Sequence, residues 1–188
     1  MDSRNHPSLL SLIPNLINAL VPIGGVIFLA IGFSGLLVVG FGSVFGKDFI
    51  SGDGAGVVYT SERCADYFRF HPEAKDCYSA ATAHHYDEVV DIRGGIGAVG
   101  SMVLIAYYGL RRRFKWASDT RVIPRGFSST VAASLFGAAA FLLLGIFGMQ
   151  AGFGNTTGVG VLLASGLVSV VAFLAYATQL SRDLLRAG

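Results

Sequence analysis

The sequence predicts an all-α integral membrane protein: a bundle of four transmembrane helices with a small, disulfide-stapled helical cap on its extracellular side. Three observations carry that prediction. Hydrophobic residues make up 53% of the 188 and charged residues 14%, well below the roughly 25% charge of soluble domains. The charge is gathered into patches, and the uncharged runs between them are as long as the ~20 residues of a bilayer crossing. The only two cysteines, Cys64 and Cys77, both fall in the one long polar segment that separates such runs.

Between Arg4 and Lys47 no Asp, Glu, Lys or Arg occurs, a stretch about twice the length of one crossing. Ser8, Ser11, Asn15 and Asn18 recur there at steps of three and four against Leu9, Leu12, Ile13, Leu16 and Leu20, and Pro14 lies on the polar side. This amphipathic pattern predicts a kinked interfacial helix within residues 1–20, helical over 7–19, followed by the first span at 21–45. One long tilted helix is the rival reading. The polar segment 46–92 forms the cap. The second span is 93–110, with Arg93 snorkelling outward at one end and Tyr107 and Tyr108 at interface depth at the other. A basic loop, 111–126, leads to the third span at 127–149; an outer turn at 150–158 leads to the fourth at 159–180, and 181–188 is a tail.

Charge sets the orientation. Arg111, Arg112, Arg113, Lys115, Arg121 and Arg125 face Asp119 alone in the loop after the second span, which places that loop in the cytoplasm. An even number of spans then puts both termini on the cytoplasmic side of the plasma (inner) membrane. Residues 47–92 carry four basic and nine acidic side chains, which suits an extracellular segment. No short cleavable leader is evident, so the first span doubles as the targeting element. Lys is scarce beside Arg, 3 against 11, a composition that points to a high-GC prokaryote.

The cap is too short to build an independent core and needs a staple. Cys64 and Cys77 lie where disulfides persist and are expected to bond. Ser61 or Thr60 caps a helix running to about Phe70, His71 is biased out of the helix by Pro72, and Pro72 opens a second helix. The bond then clips a helical hairpin, closing a loop of about 14 residues worth on the order of 3 kcal/mol. A catalytic dithiol is disfavoured because redox pairs take the Cys-x-x-Cys form. From Tyr78 the chain has no breaker and is expected to run as one helix into the second span.

On that helix His84, Asp87, Glu88 and Asp91 recur at steps of three and four with His85 beside them. A nitrogen donor one turn from carboxylates can hold a divalent metal, so these five residues are the candidate metal or pH-sensing site; the plainer alternative is a solvated face with His84 paired to Glu88. Tyr67, Phe68, Phe70, Tyr78 and Tyr86 either form the cap's miniature core or offer a contact surface to a partner. Gly52, Asp53, Gly54 and Gly56 lack the acidic residues of a calcium loop and the Lys of a phosphate loop.

No ionisable residue is expected inside a span, which disfavours proton relays, voltage sensing and ion-coupled transport. Small residues at four-residue steps, such as Ser129, Ala133 and Gly137, suit close helix packing. Arg111, Arg112, Arg113, Lys115 and Trp116 suit anionic lipid headgroups and an interfacial anchor, and nothing in the loop resembles a nucleic-acid-binding module. With no catalytic constellation and no resident cofactor, the sequence points to a non-catalytic accessory subunit or self-assembling scaffold that meets a protein partner, or a second copy, through its cap. Its alternatives are the outer metal or pH-sensing site and a channel or carrier for a small neutral or lipidic solute.

Overall fold

In lipid a backbone has no water to satisfy its polar groups, and a long uncharged run therefore resolves into helix. The computed structural model describes residues 9–51, 61–114, 126–154 and 156–185. Its elements are α1 (Leu9–Phe45), α2 (Asp48–Ser51), α3 (Ser61–Phe70), α4 (Cys77–Phe114), α5 (Phe127–Gly152) and α6 (Gly160–Leu185). Helices α1, α4, α5 and α6 each contain a window fit to cross a bilayer, with mean hydropathy 2.3, 1.6, 2.2 and 2.1. The chain is a four-helix membrane bundle. At 1.5 Å per residue α5 and α6 reach about 39 Å and α1 and α4 about 55 Å, against a hydrocarbon core of ~30 Å.

Helices α1 and α4 form one antiparallel pair and α5 and α6 the other. Along the first seam Tyr107 meets Asn18, Leu104 meets Gly25, Gly97 meets Gly32, Arg93 meets Gly35 and Tyr86 meets Gly42. On α1 these contacts repeat every seven residues, at 18, 25 and 32 and again at 35 and 42; a 3.5-residue period keeps one stripe facing its partner. Glycine is required at the centre: a Cβ on Gly32 would lie 2.5 Å from the Cα of Gly97. The backbones touch there, which yields dispersion contact where lipid supplies no hydrophobic drive.

The pairs join through two apolar clusters. Near the start of α1, Ile23 packs on Ala132 and Phe136 of α5 and on Tyr176 of α6. Near its end, Val38 packs with Ile50 of α2 and Ala164 of α6. The short α2 folds over the top of the bundle, and Gly158 donates its N–H to the Asp48 carbonyl at 2.9 Å, tying the α1–α2 corner to the α5–α6 turn.

Because Tyr86 lies level with Gly42 and α1 ends three residues later at Phe45, the first turns of α4 run past the end of α1 and receive α3 alongside. Cys64 on α3 and Cys77 at the first residue of α4 are disulfide-bonded, with Cα atoms 5.5 Å apart. The cap is thus a stapled hairpin, one arm of which is a membrane span extended.

Three expectations are corrected. The helix expected over 7–19 is not separate from the first span: α1 is unbroken from Leu9 to Phe45, and residues 7 and 8 lie outside the described residues. On its polar side Asn15 is 6% exposed and Asn18 accepts the Tyr107 hydroxyl, while Leu16 and Leu20 face outward; the contact with Tyr107 holds Asn18 in the bundle rather than at the interface. The second cap helix starts at Cys77, not Pro72, because the Asp76 carboxylate accepts both the N–H and the hydroxyl of Ser79 at 2.7 Å, a side-chain N-cap that Pro72 cannot provide. Arg93 does not snorkel outward; its side chain enters the bundle.

Candidate functional site

Arg93 owes its position to its register. Tyr86, Arg93, Gly97, Gly100, Leu104 and Tyr107 follow at steps of seven, four, three, four and three along α4, all on the stripe that meets α1. The close approach at Gly32 and Gly97 brings the next turn of α4 against Gly35, and the Arg93 side chain passes across α1 toward α6. Its Nη1 donates to the hydroxyl of Ser34 on α1 and to that of Ser165 on α6, the latter at 3.0 Å. Ser34 is 1% exposed. Ser165 lies about 8 Å along α6 from its first residue, so the cation sits within the apolar length of the bundle, toward the cap end.

The expectation of spans free of charge is therefore overturned. The residue was visible at the edge of the second apolar run, but snorkelling assumes that an end-of-span arginine finds water more cheaply than protein. Two serine acceptors and a glycine-lined seam reverse that preference here. Insertion scales put an arginine at mid-span at roughly 2.5–3.5 kcal/mol, a cost that hydrogen bonding to neutral hydroxyls offsets only in part. The missed signal was the four-three spacing that runs from Arg93 through Gly97 and Gly100 to Tyr107.

A cavity of about 420 Å³ opens beside the guanidinium. Ser34, Ser165 and Ser169 border its polar end, and Ile27, Phe136 and Leu143 belong to its apolar wall. The Ser169 hydroxyl gives its proton to the Ser165 carbonyl at 2.8 Å, so the hydroxyl presents lone pairs rather than a donor.

In the cap, the expected stripe of His84, His85, Asp87, Glu88 and Asp91 is divided among different neighbours. His84 turns to α3, stacked on Phe70 with ring centroids 5.3 Å apart and with Tyr67 at 5.4 Å. It is His85, not His84, that approaches Glu88, at 3.7 Å. Asp87 instead meets His71, Nε2 to Oδ2 3.6 Å, while His71 Nδ1 lies 3.4 Å from Glu73. Asp91 is exposed. Among the described residues no three His, Cys, Asp or Glu side chains come together as a metal site. Sequence periodicity groups residues of one helix and could not show that α3 would claim His84. In sequence His71, 8% exposed, stands out only as a helix terminator; it follows the end of α3 while its partner Asp87 lies on α4, out of reach of any local pattern.

The Glu73 carboxyl is held below the ordinary carboxylate range first by a hydrogen bond from its own backbone N–H and then by His71. Asp76 is held below it by the two Ser79 donors.

The aromatic residues also separate. Tyr86 packs with Val38 and Phe41 in the upper cluster, its ring under the Lys47 ammonium at 5.3 Å; it belongs to the bundle rather than to a contact surface. Tyr67 and Phe68 are half-buried, as is Tyr78, whereas Phe70 is 65% exposed. Phe70 borders a cleft of about 420 Å³ shared with Arg63, Asp66, Tyr67, Arg69 and His84. At the opposite end Arg111, Arg112 and Arg113 are exposed in the last turn of α4; Lys115 and Trp116 lie outside the described residues. No protein-family model matches the chain, and no curated protein or solved structure matches it either.

Proposed function

We propose that the chain is a non-catalytic membrane protein, an accessory subunit or scaffold, whose cap engages a protein partner on the outer face of the plasma membrane. The observation that supports this most is how the cap is held. A disulfide joins α3 to α4, His84 stacks between them, and α4 continues without a break into the bundle. A contact made at the cap is therefore borne directly by the spans, and little ordering entropy is lost on binding. Phe70 remains exposed beside Arg63 and Arg69, and aromatic and arginine side chains together are the commonest interface anchors.

The orientation rests on the positive-inside rule: the exposed Arg111, Arg112 and Arg113 mark the cytoplasmic end, where each basic residue near anionic headgroups contributes about 1 kcal/mol. The cap then faces outward, with both termini inside.

A photoreactive residue placed at position 70 in native membranes tests the proposal, with position 171, 68% exposed on α6, as a lipid-facing control. The expected result is a protein adduct of discrete mass from position 70 alone, reduced by the Arg69→Glu substitution. An adduct of twice the chain mass assigns the partner as a second copy. Identical products from positions 70 and 171 refute the reading.

A further inference from the structure

The Ser34 hydroxyl gives its own proton to the Ile31 carbonyl at 2.7 Å, which leaves its oxygen lone pairs to accept from Arg93. Both serine contacts fall on Nη1. A guanidinium carries five N–H donors in a planar fork, so among the described residues the edge formed by Nε and Nη2 keeps three. Among the described residues no carboxylate lies within ion-pair distance of Arg93, and the contacts that position it are neutral. Within the described residues the cation is oriented without being neutralised. Beside it lies a cavity of about 420 Å³, within the roughly 300–1,000 Å³ of small-molecule sites, polar only at the Arg93 end.

We propose that this cavity binds an amphiphile with one apolar chain and an oxyanionic head, a carboxylate or a phosphate monoester, drawn from the surrounding bilayer. The head takes the free edge of Arg93 in a bidentate pair, the geometry for which a guanidinium is pre-organised. In low-dielectric surroundings that pairing is far stronger than in water. The chain lies along the wall to which Phe136 and Leu143 belong. A small inorganic anion has no use for that wall, and a neutral lipid leaves the cation unpaired; only a molecule with both parts fits both ends of the site. The site is separate from the cap surface and does not depend on it.

Titration of the full chain in a neutral maltoside detergent, read by native mass spectrometry, tests the proposal with four probes: palmitate, lysophosphatidate, monopalmitoylglycerol and inorganic phosphate. One molecule of palmitate or lysophosphatidate is expected per chain, at least tenfold tighter than monopalmitoylglycerol, and whichever of the two binds tighter identifies the head. Arg93→Gln should weaken the anionic probe at least tenfold and leave monopalmitoylglycerol unchanged. Ala139→Leu, which narrows the cavity wall without touching Arg93 or the serines, should weaken the same probe tenfold, and it carries the test where Arg93→Gln does not fold. Equal binding of the charged and neutral chains, inorganic phosphate binding as tightly as either amphiphile, or an Ala139→Leu variant that binds like the parent overturns it.

Discussion

Replacing Gly32 by Ala puts a methyl carbon 2.5 Å from the Gly97 Cα, and the reciprocal change at Gly97 puts one 2.7 Å from the Gly32 Cα. Ordinary carbon contacts lie near 3.5–4.0 Å, so the two backbones must part by about 1 Å. No rotamer can relieve this, because the obstacle is main chain on both sides. In a well-packed interior such overpacking costs about 1–3 kcal/mol. Against it stands the intrinsic preference of helix for Ala over Gly, at most about 1 kcal/mol. The clash wins, and Gly32→Ala should lose about 1–2 kcal/mol. Gly95, with nothing within 4 Å of an added Cβ, experiences only the propensity and should be neutral or gain up to about 1 kcal/mol. Once the helices have parted, the second methyl meets less resistance, so Gly32→Ala/Gly97→Ala should cost less than the sum of the singles. Reversible unfolding in mixed detergent micelles, followed by circular dichroism, measures these four variants beside the parent chain. Equal stabilities for Gly32→Ala and Gly95→Ala would refute the close-contact seam, as would strict additivity of the pair.

Other outcomes follow from the cap. Cys64→Ser/Cys77→Ser should loosen α3 by up to roughly 3 kcal/mol of loop entropy, seen as faster amide exchange across α3 with the spans unchanged; unaltered exchange counts against the staple. Asp76 has a depressed carboxyl pKa, so the capping stability it contributes is present above the ordinary value near 4 and is lost as pH falls through the lower folded value. Exchange in the first turn of α4 should accordingly rise in acid, and Asp76→Asn, which keeps an N-cap acceptor but does not titrate, should flatten the profile. The Thr82 hydroxyl oxygen is buried with no partner among the described residues; Thr82→Val, of nearly the same shape, should raise cap stability by about 1 kcal/mol, and a loss on thermal unfolding would show that the hydroxyl is satisfied.

The features legible in the sequence share one origin. A bilayer accepts only long apolar helices, so charge-free runs mark the spans with little regard to what packs against them, and two lone cysteines in one polar segment leave a single pairing. The cap as a stapled hairpin followed from the same arithmetic. The start of its second arm did not, since Pro72 and Asp76 both offer a helix beginning and only the Ser79 contacts decide between them.

Periodicity reports which residues share a face of a helix, but not what that face meets. Asn15 and Asn18 share a face, and water, headgroup and protein interior are equally compatible with it until α4 arrives with Tyr107. The same holds for Arg93, whose direction is decided by a glycine on α1, a glycine on α4 and two serines on different helices, 59 and 72 residues away. His84 was claimed by α3 and Asp87 by His71 for the same reason. The sequence alone determined which segments leave water, because transfer to lipid is a sum over single residues. Only the tertiary structure decided where the polar groups among them point, because a hydrogen bond is a property of a pair.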